Sequence, residues 1–103
     1  MAKRNKFSVR LLRAAEEDFT EIIDFISADN RNSAIKLADS FDKVFEKLED
    51  YPYLGKIPNE FELARSGYRY LIHSNYIIFY KIENEVVLIY RIIHGARDYK
   101  KIL

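Results

Sequence analysis

The apolar residues of this chain change their spacing part-way along, and that change restricts the fold more than any other feature. In the first half, Phe19, Ile22, Ile23 and Ile26 recur at i, i+3, i+4 and i+7. Ala34, Leu37, Ala38, Phe41, Val44, Phe45 and Leu48 form a second series of the same kind. Each series is one apolar stripe of a helix, which predicts helices over 14–28 and about 32–49. From Gly67 onward the pattern becomes extended. The runs YRYLI (68–72), NYIIFYKI (75–82) and EVVLIYRIIH (85–94) are dense in β-branched and aromatic residues and predict three strands. FSVRLL (7–12) alternates loosely and suits a strand ahead of the first helix. Two helical stripes and four strands bury their apolar sides most simply as a helical hairpin laid on one face of a sheet.

The breaks between these segments fit that arrangement. DNRN (29–32) interrupts the helical pattern and offers an Asn N-cap, and so short a break makes the two helices antiparallel neighbours. Glu16, Glu17 and Asp18 fall in the predicted first turn, where the helix dipole favours negative charge. YPYLGKIP (51–58) stops the second helix, because Pro52 and Pro58 lack donors and Gly55 permits a turn. Residues 59–66 read as an irregular link or a short turn. Between the last two strands, Glu83-Asn84 suits a tight turn; Tyr80 would then face Val87, Ile78 would face Ile89, and Tyr76 would face Arg91. The final RDYKKIL forms either a short helix or an extended end. The expectation is one α+β domain over residues 1–103, in the order β-α-α-β-β-β, with a mostly antiparallel sheet, a helical hairpin on one face and the other face free.

Several function classes are excluded by what the chain lacks. It has no cysteine and only two histidines, His73 and His94, with no spacing that suits a metal. No glycine-rich phosphate loop and no nucleophile elbow is present. No cofactor is expected. No apolar run approaches the length of a membrane span, and the basic N-terminus MAKRNKFSVRLL lacks the apolar core of a signal peptide, so a soluble cytoplasmic protein is expected. The net charge is only +1 but is unevenly placed. Residues 1–15 carry five bases and no acid, residues 16–50 carry eleven acids against four bases, and residues 51–103 carry eight bases against five acids. A basic patch can form where the two ends meet.

The residues with chemistry to offer lie in the C-terminal half: Arg65, Arg69, His73, Arg91, His94, Arg97 and Tyr99. Arg69, Leu71 and His73 alternate to one face of their strand. In a flat strand Val87, Ile89, Arg91 and Ile93 share one face, with Tyr90, Ile92 and His94 on the other, unless a bulge or bend at Gly95 intervenes. Arg91 interrupts an apolar run, and a guanidinium there requires either an internal acid or an external ligand. His94 reads first as a strand-end histidine bonded to backbone. Gly95 answers a backbone requirement. Asp98 can pair with Arg97 or cap a last turn, and Tyr99 can stack on a base or pack the tail.

Taken together, the stretches AAEEDFTEIIDFI, AIKLADSFDKVFEKLEDYPYLG and RYLIHSNYIIFYKIENEVVLIYRIIHGARD resemble the RelE/ParE superfamily of bacterial toxins, and more closely its ParE-like, plasmid-stabilisation branch. LEDYPYLGK matches the family's break after the second helix. Where relatives often carry Thr or Ser followed by Pro before the first helix, this chain has Arg13-Ala14, a change confined to a cap. The resemblance implies the toxin of a type II toxin–antitoxin pair, held in a hetero-oligomer by a small antitoxin whose disordered segment folds onto it. Two activities occur in the superfamily. ParE-like members poison DNA gyrase without being nucleases; HGARD belongs to their pattern, and Arg65, Arg91, His94 and Arg97 would contact the target. RelE-like members cut messenger RNA on the ribosome without a metal. Arg69 and Arg91 match the strand arginines of that group by position, and Tyr99 lies near its C-terminal tyrosine. A ribosome-docking nuclease should be strongly basic, so the near-neutral charge favours the ParE-like reading over the endoribonuclease. A non-toxic protein-binding relative is a third reading.

Overall fold

The structure, a computed structural model, describes residues 6–96 and Leu103. The elements follow the expected order: β1 (Ser8–Leu11), α1 (Arg13–Asp29), α2 (Arg31–Asp50), a short α3 (Phe61–Arg65), β2 (Arg69–His73), β3 (Tyr76–Glu83) and β4 (Val86–His94). The four strands form one sheet in the order β1-β4-β3-β2. β3 pairs antiparallel with β2 on one side and β4 on the other, and β1 lies parallel to β4. The sheet is thus mostly antiparallel, with a helical hairpin on one face. The link 59–66, left open between irregular chain and turn, contains the single turn of α3.

Asn30 ends α1 and caps α2; its side chain accepts a hydrogen bond from Ser33 N–H at 3.0 Å. That bond satisfies one of the donors a helix start leaves open. At the other end Leu12 caps α1 without a side-chain bond, as a chain lacking Ser or Thr there must. α1 begins at Arg13, so Asp18 sits in its second turn rather than its first and turns toward the sheet.

The core lies between hairpin and sheet. Ala15, Phe41 and Leu48 from the helices pack on Ile78, Tyr80, Val87, Ile89 and Ile92. Phe41 is its centre: fully buried, it meets Phe19 edge-on at 5.6 Å and contacts the rings of Phe45, His73 and Tyr76. Burying such a side chain contributes about 2–3 kcal/mol. His73, on the core side with Arg69 and Leu71 as its alternation predicts, is bonded to Ser40 Oγ at 2.7 Å.

The β3–β4 hairpin departs from expectation in two respects. Its turn is Asn84-Glu85, not Glu83-Asn84, and Glu83 pairs with Val86. Asn84 and Glu85 both take positive φ, 49° and 62°, the geometry whose twist matches two right-twisted strands. Every pair therefore moves from the expected register: Ile82 faces Val87 and Tyr80 faces Ile89. Secondly, a register shift falls between Phe79 and Tyr80, so that Phe79 pairs with Arg91 and Tyr90 is the extra residue. The bulge is at Tyr90 rather than Gly95. It resets the alternation, and Ile92, not Arg91, continues the core face begun by Val87 and Ile89.

The far face of the sheet is less open than expected. Phe79 and Ile93, which point away from the hairpin, are buried. Residues 56–60 pass beside β2, with Lys56 bridging Tyr70 in both directions at 2.9 Å. Tyr68 and Tyr90 meet edge-on at 5.3 Å, and Lys81 Nζ lies over both rings, at 4.5 and 5.0 Å. The ammonium thus sits against two aromatic faces, a cation–π arrangement.

Candidate functional site

β1 supports β4 only as far as Ile89, whose carbonyl accepts from Leu12 N–H at 2.9 Å. Beyond that point no strand among the described residues lies on that side of β4, and without a side chain there Ile92 N–H would lack a partner. Asp18 on α1 supplies one. Its Oδ2 accepts from Ile92 N–H at 2.9 Å and from Arg91 Nε at 2.7 Å, while Oδ1 accepts from Arg91 Nη2 at 2.8 Å. The bulge at Tyr90 delivers the guanidinium to this carboxylate. The pair is largely sheltered, with side-chain exposures of 24% for Arg91 and 12% for Asp18. The Asp18 hydrogen bonds, outweighing partial burial, hold the Arg91 pKa above the ordinary guanidinium value. The choice between an internal acid and an external ligand for Arg91 is therefore met by an internal acid 73 residues away in sequence.

A few ångströms on, the strand ends in a fixed turn. Gly95 N–H donates to Asn75 O at 2.8 Å. The His94 ring stands edge-on to Tyr76 at 5.7 Å, and its Nδ1 accepts from Ala96 N–H at 3.2 Å. A neutral His94 in this arrangement carries its proton on Nε2. Between this turn and the β2–β3 turn lies an open depression of about 340 Å³, lined by Tyr76, Ile77, His94 and Gly95 among others.

The other sequence-predicted residues are distributed differently. Arg69 stands on β2, separated from β4 by β3. Its Nη1 donates to Gly55 O at 2.8 Å and Tyr53 O at 3.3 Å, and its guanidinium lies 5.2 Å from the Tyr53 ring centre. It ties down the chain after α2. Arg65 is exposed in the last turn of α3. Arg97 and Tyr99 lie outside the described residues. The structure thus brings Arg91 and His94 to the same strand end, while Arg69 and Arg65 belong to other elements. Among the described residues no group of histidines and acids is placed to hold a metal.

Two residues missed by sequence reasoning matter here. Asp18 was legible only as a helix acid, although an arginine in an apolar strand signals that some acid must meet it. Tyr80, buried in the core, donates to Pro52 O at 2.8 Å and accepts from Gly55 N–H at 2.7 Å. Gly55 is required for this close approach: a Cβ there would stand 2.6 Å from the Tyr80 hydroxyl and 2.9 Å from Tyr70 O.

The geometry fits a family defined at this level. The structure resembles a chain of the chromosomal ParDE system from P. aeruginosa with a TM-score of 0.71 at 17% identity, covering 88% of this chain and 98% of that one. It also resembles a chain of the toxin–antitoxin complex RelBE2 from Mycobacterium tuberculosis, with a TM-score of 0.62 at 27% identity, covering 86% and 98%. No curated protein matches the chain in sequence. Residues 9–99 match the model of the ParE toxin of the type II toxin–antitoxin system parDE, and since that span is nearly the whole chain, the protein belongs to the ParE toxin family within the RelE/ParE superfamily.

Proposed function

We propose that this toxin acts as a ParE-like poison of DNA gyrase in the cytoplasm, contacting its target through the end of β4 and the residues that follow, with His94 and Arg97 as contact residues and Arg65, on α3, as a separate one. A cognate antitoxin holds it inactive by folding a disordered segment onto it, as the likeness to ParDE and RelBE2 complexes supports. The observation that carries the choice of target is the commitment of the two strand arginines. Metal-free cleavage of RNA needs cations aimed at a phosphate that gains charge. Here Arg91 gives Nε and Nη2 to Asp18, and Arg69 donates to two backbone carbonyls. Both guanidiniums are thus engaged within the fold, and a net charge of +1 offers little long-range pull on RNA.

The test is induction of the chain with and without its antitoxin. Growth arrest with DNA breaks and an SOS response, together with purified toxin trapping gyrase on cleaved DNA, is the expected result. Arrest with cleaved message and intact chromosomes would instead establish the RelE-like reading, with Arg69, Arg91 and Tyr99 as its candidates. Within the gyrase reading, Arg97→Ala should relieve toxicity while the folded protein still binds antitoxin. Undiminished toxicity would remove Arg97 from the contact set.

A further inference from the structure

We infer that Asp18 is a positioning residue for toxicity: it stands in for the missing strand beside the end of β4 and so fixes where the chain leaves the sheet. This rests on the proposed function above. The usual means of holding a strand end is a neighbouring strand, and β1 stops at Leu11, opposite Ile89. Asp18 replaces it with three hydrogen bonds from one carboxylate, two to Arg91 and one to Ile92 N–H. On the opposite side β3 holds the same stretch, with Tyr76 opposite His94 and Asn75 O bonded to Gly95 N–H. The end of β4 is thereby held on one side by Asp18, at Arg91 and Ile92, and on the other by β3 and its turn, at His94 and Gly95. An amide hydrogen bond to an ionised acceptor is among the stronger ones available, and Arg91 adds a forked pair to the same group. Arg91, in this view, does not reach the target. It keeps the Asp18 carboxylate oriented.

The groups facing this clamp support the assignment. Glu17 and Glu21 flank Asp18 on α1 and both favour the charged guanidinium. Glu17 is also engaged with Arg13 at 3.4 Å, on the exposed side of the helix. Asp18 alone among these acids reaches β4.

The experiment compares Asp18→Asn, Asp18→Glu and Arg91→Gln with Asp24→Asn, an exposed change on the same helix, in the full chain. Three quantities are read: growth arrest, affinity for the antitoxin, and hydrogen exchange of the Ile92 and Gly95 amides in the toxin–antitoxin complex. Asp18→Asn should raise Ile92 exchange by about tenfold or more, since a charge-assisted acceptor is lost. It should sharply reduce growth arrest and leave antitoxin affinity within about threefold, the size of effect expected away from a contact surface. Asp18→Glu should restore part of the toxicity, and Asp24→Asn should change nothing. If Arg91 itself touched the target, Asp18→Asn would free the guanidinium and keep or increase toxicity, while Arg91→Gln abolished it; that outcome overturns the inference. Loss of antitoxin binding in parallel with toxicity in both Asp18→Asn and Asp18→Glu would reduce Asp18 to a folding residue and overturn it as well. A wild-type chain that fails to arrest growth removes the functional reading along with this one, whereas a toxic wild type with an equally toxic Asp18→Asn removes only this one.

Discussion

Tyr80→Phe removes one oxygen from the centre of the molecule, and its cost follows from the two bonds that oxygen makes. Tyr80 is fully buried, its hydroxyl donating to Pro52 O at 2.8 Å and accepting from Gly55 N–H at 2.7 Å. Phenylalanine fills the same ring space, so no cavity opens. What is lost is the pairing of one amide and one carbonyl in a loop pressed against the sheet. An orphaned buried backbone group costs about 1–3 kcal/mol, which puts the pair at roughly 2–4 kcal/mol. For a domain of this size that lowers the melting temperature by about 10 °C or more. Urea unfolding of the two proteins measures it directly, with an unchanged m-value as the sign that only stability moved. Gly55→Ala attacks the same contact from the other side, because its Cβ would meet the Tyr80 hydroxyl at 2.6 Å. The double variant should therefore cost less than the two singles together. A loss below about 0.5 kcal/mol for Tyr80→Phe would mean that water reaches Gly55 and Pro52, and the account of this loop would fail.

Two further expectations concern the hairpin and the tyrosines. Glu85 holds φ at 62° in the β3–β4 turn, which costs a side-chain-bearing residue about 1 kcal/mol, so Glu85→Gly should stabilise the fold by up to about half that once the added freedom of the unfolded chain is counted; a lower urea midpoint would contradict the turn assignment. Burial raises the pKa of Tyr80, against smaller opposing effects of the Gly55 bond and Arg69; for Tyr68 burial is again the main cause, with Tyr90 adding to it. Each therefore favours the folded state fully below the ordinary tyrosine value near pH 10, and that contribution is lost as pH climbs from there through the folded value. An alkaline absorbance titration should show these two ionising after the exposed tyrosines, and a single shared midpoint would refute it.

The helices and the layer arrangement were legible because burial imposes a period on the sequence. Phe19, Ile22 and Ile26, or Phe41, Val44 and Leu48, cannot all reach a core unless their segments are helical. The strands were legible for the related reason that Val, Ile and Tyr crowd a pleated surface. Register was not. Moving the turn by one residue shifts the pairing by two and keeps every side chain on its own face, so the apolar pattern is equally content with Glu83-Asn84 or Asn84-Glu85 at the tip. The choice rests on Glu85 accepting positive φ, for which glutamate carries no signal. The bulge at Tyr90 was invisible for the same reason: VVLIYRII has apolar residues at nearly every position, and an inserted residue leaves no gap in such a run. As for the site, the need of Arg91 for an acid was readable, but the identity of Asp18 was not, since eleven acids between residues 16 and 50 were all candidates and only the crossing of α1 over β4 selects one.

The parallel pairing of β1 with β4 ties the first strand made on the ribosome to the last. Ser8 opposite Val86 and Leu11 opposite Ile89 are contacts that cannot exist until β4 itself has emerged, and closing so long a loop is among the slower steps open to a small domain. Until then the amino-terminal strand has no companion, the hairpin of helices has no floor, and the carboxylate on the first helix has no strand to hold. The fold is thus closed by β4: without that strand, β1 loses its neighbour and Asp18 loses both Arg91 and the Ile92 amide.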